Sequence, residues 1–182
     1  MKQFIFTFAL AVLSVAAFGQ KYLTQSATIR FFSSTPMEDI EAVNNQVSTA
    51  INAENGEMVF SMLMTAFTFE KALMQEHFNE KYVESPQFPK AKFKGSIADF
   101  AKLNLSESPT EVTVTGDMTI HGVTKPATIR GTLAKKGDKI VAVSKFLIAP
   151  EDYGIKIPGA VRENIAKEIE VTVNATYDLI NK

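Results

Sequence analysis

Two histidines, His77 and His121, supply the only imidazoles in a chain of 182 residues that contains no cysteine. Thiolate catalysis, disulfides, zinc–thiolate sites and iron–sulfur clusters are thereby excluded. Nucleophilic catalysis of the Ser-His-Asp kind needs an imidazole oriented by an acid beside an activated hydroxyl. No G-x-S-x-G elbow is present to supply that hydroxyl. His121 stands in Thr119-Ile120-His121-Gly122, at a predicted strand end, where its ordinary role is to hydrogen-bond a turn. Glu76 and His77 are neighbours on a predicted helix and point to different faces, so they do not form a chelating pair. Neither an H-E-x-x-H pair nor a calcium loop occurs, and nothing singles out two carboxylates for glycoside hydrolysis.

The pronounced chemistry is apolar. Between residues 58 and 69 lie Met58, Phe60, Met62, Met64, Phe67 and Phe69. Methionine is flexible and polarizable, suited to irregular apolar contents such as a lipid chain, although such a stripe also fills ordinary cores. Lys plus Arg is 19 and Asp plus Glu is 20, a balance that argues against binding to nucleic acid by phosphate neutralisation, which calls for a basic excess.

The elements that must position these residues are strands. Ile169, Val171, Val173, Ala175, Tyr177 and Leu179 alternate with polar residues, the period of a half-buried strand. The same alternation runs over Val112–Ile120 and Ala127–Leu133, and Lys136-Gly137-Asp138 predicts a hairpin into Ile140–Ile148. Leu23–Ser33, Val43–Ala53, Met58–Thr68 and Phe88–Phe100 complete the set, with Asn55-Gly56 as a turn. Glu70–Tyr82, rich in helix formers, predicts an amphipathic helix of about three turns. A further short turn or helix is expected over Pro158–Ala166.

The fold class is therefore all-β: an antiparallel barrel or sandwich of about eight strands with one inserted amphipathic helix. A barrel of that size can enclose one ligand. The absence of a Gly-rich nucleotide loop and of a β-α rhythm excludes a dinucleotide-binding fold.

Residues 1–19 read as a signal peptide. Lys2 precedes an apolar run from Phe4 to Ala17, and Ala17 and Gly19 place small residues before Gln20. The run is too short to span a bilayer. The expected product is residues 20–182 as one domain, exported to the periplasm or secreted, without a stable membrane anchor.

Gly116-Asp117-Met118-Thr119-Ile120-His121-Gly122-Val123-Thr124-Lys125-Pro126 resembles the Gly-x-Leu-Thr-Ile-His-Gly-x-Thr-Lys-Pro signature of the YceI-like, polyisoprenoid-binding family. Phe67–Pro89, Lys92-Phe93-Lys94-Gly95 and Asp152-Tyr153-Gly154-Ile155 are similar to further pieces of that family in the same order. Two departures stand out: Ile29–Pro36 replaces a His-bearing opening segment, and Met74-Gln75 replaces a frequent Arg-Asp before the helix histidine.

The resemblance implies an extended, lipocalin-like barrel whose cavity holds a long isoprenoid or similar amphiphile as ligand, and it implies export; the residues themselves lead to the expectation of no catalytic cofactor and no metal. The expected inward set is Phe60, Met62, Met64, Met118, Ile120, Phe146 and Val173, with Leu73 and Phe78 contributed by the lid. His77, Lys125 and Tyr153 are expected at a polar mouth, on resemblance and residue type. A homodimer through an exposed strand face or rim is compatible with this reading. So are two rivals: a structural or stress-associated barrel filled by its own side chains, and an enzyme resting on the two histidines.

Overall fold

The structure is a computed structural model that describes residues 20–180; the expected signal segment lies outside them. Eight long strands make the wall: β1 (Lys21–Ser34), β2 (Asp39–Asn52), β3 (Glu57–Leu63), β5 (Lys90–Ile97), β6 (Thr110–Ile120), β7 (Val123–Lys136), β8 (Lys139–Ile148) and β9 (Ile169–Ile180). They are antiparallel throughout, in the order β1-β9-β8-β7-β6-β5-β3-β2, and β2 pairs back onto β1 to close the barrel. Closure removes the two free edges that an open sheet of this size would expose. A two-residue strand, β4 (Thr68–Phe69), adds to β2 beside Ala42 and Val43.

Alternation builds each strand. In β9, Val171, Val173, Ala175 and Tyr177 are buried while Asn174, Thr176 and Asp178 are exposed. The hairpin between β6 and β7 turns on His121 and Gly122, with φ of 51° and 74°. Two successive left-handed residues make the turn whose twist matches the strands it joins. A side chain at Gly122 would also collide with the ring of Phe88.

The barrel has two unlike ends. At one, Val47, Ile51, Leu133, Ile140 and Tyr177 are sealed from solvent, and the Tyr177 hydroxyl lies 3.0 Å from that of Thr49. Burial holds the Tyr177 phenol protonated far above its ordinary range. At the other end the wall is capped by chain. One piece runs from the turn Met64–Ala66 to Pro89, and the second is the connection between β8 and β9.

Three elements depart from the expectation. The strand predicted over Met58–Thr68 stops at Leu63 and passes into a 3₁₀ turn, so Met64 sits past its end. The strand predicted from Phe88 begins at Lys90. The predicted three-turn helix is α-helical only over α1 (Ala72–His77), then widens into a π turn over Phe78–Tyr82. Asn79 lies at that change, its side-chain amide donating to the Gln75 carbonyl at 2.9 Å and competing with the regular ladder.

Candidate functional site

Side chains two apart in β3, β6, β8 and β9 face the barrel axis and enclose a cavity of about 200 Å³. Phe60, Met62 and Met64 line it from one side; Met118, Ile120, Phe146 and Val173 line it from the others. All seven residues expected to face inward are thus on its wall. Phe31, Phe93, Ile129 and Val171 share that wall and were not foreseen. Phe31 escapes a count along β1 because the strand's register shifts between Thr24 and Ile29, which breaks simple alternation.

A second cavity, about 360 Å³, lies under the cap. Its walls include Leu73, His77 and Phe78 from the lid, Tyr82 and Val83 after it, and Ile155, Ile157 and Asn164 from the β8–β9 connection. Leu73 is 60% exposed and stands at its rim. The lid residues therefore attend this space, and Leu73, His77 and Phe78 are not on the wall of the barrel cavity.

Phe31 belongs to both cavities. Its ring lies 5.4 Å from that of Phe67, 5.6 Å from Phe69 and 5.5 Å from Phe78. These four rings, tilted or edge-on as their quadrupoles favour, form a partition between the two spaces. The Met/Phe stripe flagged Phe67 and Phe69, but no spacing rule joins them to Phe31 and Phe78.

Polar groups gather at the second cavity. Glu38 receives Asn164 Nδ2 at 3.2 Å and Lys71 Nζ at 3.1 Å. The Asn164 bond and then Lys71 hold the Glu38 carboxyl below its ordinary range. Burial raises the Tyr82 phenol, which stays neutral.

Lys125 and Tyr153 occupy a different place. Lys125 Nζ pairs with Asp152 Oδ1 at 3.0 Å, and Tyr153 is buried in the core. Neither is on the wall of either cavity. His121 ties this region together: Nδ1 donates to the Tyr153 carbonyl at 3.2 Å, Nε2 lies 2.8 Å from Glu84 Oε2, and the ring packs edge-on against Phe88 at 4.4 Å. One imidazole thus joins the β6–β7 turn to the chain after the lid and to the turn after β8. Glu84 was not foreseen as its partner, since 37 residues separate the two.

Among the described residues, no cluster of three His, Asp or Glu side chains is disposed to hold a metal ion. No helix among them is long and apolar enough to cross a membrane.

A closed antiparallel barrel with an apolar hollow and a chain-built cap places the protein in the lipocalin-like class of architectures. The YceI-like domain model matches residues 21–177, and the chain belongs to that family. A UPF0312 protein of Pseudomonas putida is 29% identical over 96 residues, which is 50% of this chain and 47% of that protein. The chain thus matches about half the length of the curated relatives. Two solved structures share the fold. A polyisoprenoid-binding domain from Saccharophagus degradans superposes with a TM-score of 0.76 at 15% identity, covering 88% of this chain and 98% of that one. Burkholderia cenocepacia BcnA gives 0.70 at 13% identity, covering 82% and 95%.

Proposed function

We propose that the protein is an exported carrier or sequestering protein for a long-chain isoprenoid or similar amphiphilic lipid. The observation that supports this reading best is the barrel cavity, whose wall is almost wholly apolar and rich in methionine and phenylalanine. An apolar tail leaving water for such a wall gains about 0.8 kcal/mol per methylene, so affinity requires no polar contact. Dry apolar cavities of about 150 Å³ take small apolar guests, so a volume of about 200 Å³ suits one segment of a chain. A longer tail requires Met62, Met64 and the phenylalanine partition to move, and methionine moves at low cost. Similarity of fold to a polyisoprenoid-binding domain agrees with this ligand class.

His77, beside the Glu38–Lys71–Asn164 network, is the group we assign to the polar end of the ligand. Lys125 and Tyr153, expected at the same mouth, hold the β8–β9 turn instead. We read both histidines as binding or structural groups and the protein as a binder, not an enzyme.

Lipid extraction and mass spectrometry of protein from its native source test the reading, together with titration of a fluorescent long-chain probe. An isoprenoid-tailed or fatty-acyl species at near-stoichiometric amount is the expected result. Lipid-free protein that also fails to bind the probe would overturn it and favour a barrel that is structural.

A further inference from the structure

The barrel wall is not evenly laced. β7 and β8 leave their tight turn paired from Lys136↔Lys139, but the ladder ends at Gly131↔Ser144. Both strands continue well beyond that point. β7 stays paired with β6 as far as Ile120↔Val123, and β8 with β9 as far as Ile148↔Ile169. The two hairpins therefore part, leaving a seam between Val123–Arg130 and Lys145–Ile148.

Four local features fit a seam. Counting from the hydrogen-bonded pair at the β6–β7 turn, Pro126 directs its ring nitrogen away from β6, toward the seam. A strand interior excludes proline there, whereas an unpaired edge tolerates it. At the apex, the Ser144 hydroxyl donates to the Arg130 carbonyl at 2.7 Å, where a continued ladder would place a backbone amide. A side chain at Gly131 would come within 2.7 Å of the Val143 carbonyl, so glycine keeps the last rung closed. Below it, the outer lip of β8 carries an exposed apolar side chain, Leu147 at 58%, with Val143 exposed on the same face just above the last rung.

The barrel cavity reaches this opening. Consecutive residues on both strands line it at the apex, Gly131 and Thr132 on β7 and Val143 and Ser144 on β8, although alternation would show the cavity only one of each pair. The turn Pro150–Tyr153 packs against β7 near the far end of the seam. It is held there by the Lys125–Asp152 ion pair and the His121 bond to the Tyr153 carbonyl. Both members of that ion pair are substantially exposed, which makes it a weak tie.

We infer that the β7–β8 seam is the portal through which a long apolar chain enters and leaves the cavity, with the Pro150–Tyr153 turn as its movable closure. A lateral slit admits a chain side-on, so the tail reaches the cavity without threading end-on through the cap. The inference rests on the carrier reading and adds a route to it.

The absence of native cysteine gives a clean test. Continuing the register sets Thr128 opposite Leu147, both directed outward. The double variant Thr128→Cys with Leu147→Cys, bridged by a short cleavable bis-thiol reagent, laces the seam without filling the cavity. Uptake and release of a fluorescent long-chain fatty-acid probe are then timed. Bridged protein is expected to exchange at least about tenfold more slowly, with unchanged load at equilibrium and full recovery on cleavage. Lys125→Ala, which removes the weaker of the two ties and leaves the His121 bond, is expected to exchange faster by about two- to fivefold. Equal rates in bridged and unbridged protein would overturn the portal. So would slowing confined to a bridge between Glu38→Cys and Lys71→Cys, which face each other across the second cavity, since that would put the route there. Failure of the unmodified protein to take up the probe would defeat the carrier reading itself, and the portal with it.

Discussion

At the scale of single residues, bulk separates an adaptable cavity wall from an interlocked core. Met62 is half-buried on the cavity wall, at the lid end of β3. Met62→Trp is expected to leave the thermal midpoint of lipid-free protein almost unchanged while probe loading falls severalfold. In a close-packed core the same change would destabilise by about 1–3 kcal/mol through overpacking. Paired melting and probe titration distinguish the two outcomes. His121 should behave in the opposite way. Its ring meets Tyr153, Glu84 and Phe88 at once, and its side chain is only 10% exposed. His121→Ala strips two hydrogen bonds and is expected to cost about 1–3 kcal/mol in denaturant unfolding. Probe affinity measured at full folding should stay close to that of the unmodified protein.

At the scale of elements, the lid matters through one ring. Phe78 opens the π turn after α1 and packs 5.1 Å from Phe69 and 5.7 Å from Phe67. Phe78→Ala should cost about 2–3 kcal/mol, below the range for a fully buried phenylalanine because the ring is half-buried. It should also merge the two cavities, shifting probe preference toward longer chains; a chain-length series of probes measures this. The second tie on the cap is Glu38, which joins the β1–β2 turn to Lys71 and Asn164. Its carboxyl is held below its ordinary range in the folded protein. The tie therefore stabilises at pH values above the ordinary carboxylate range and is lost as pH falls through the lowered value. Glu38→Gln should melt below the unmodified protein at neutral pH, and the gap should close on acidification past that point. Melting both proteins across a pH series checks the sign.

At the scale of the whole molecule, the division into a sealed end and a hollow end relates stability to binding. Tyr177, Thr49, Val47 and Ile140 form the sealed end, which supplies close packing that a ligand does not disturb. The hollow end forgoes those contacts, and a guest restores them. Bound lipid should therefore raise the free energy of unfolding by an amount set by its concentration over its dissociation constant, about 2.7 kcal/mol at a hundredfold excess, and the midpoint should climb with it. Melting of delipidated protein against increasing probe measures this. Export is a separate expectation about the chain: mass analysis of the exported fraction should find a first residue of Gln20, and an intact Met1 there would refute it.

The amino-acid sequence by itself determined the wall. Period-two alternation over Val112–Ile120 and Ile169–Leu179 assigns each side chain to a face, because neighbouring residues in a strand point oppositely whatever lies around them. The inward set on β3, β6, β8 and β9 followed from that local geometry. Strand ends were less legible: Met58–Thr68 and Phe88–Phe100 each overran, since a turn is fixed by partners that alternation does not see. Tertiary structure alone decided the rest. The Phe31–Phe67–Phe69–Phe78 partition, the His121–Glu84 tie and the division into two cavities join residues distant along the chain, and only chain closure brings them together. The seam belongs with these: the strand expected from Ala127 starts after Pro126, and only the divergence of β7 from β8 shows this proline to sit on an unpaired edge.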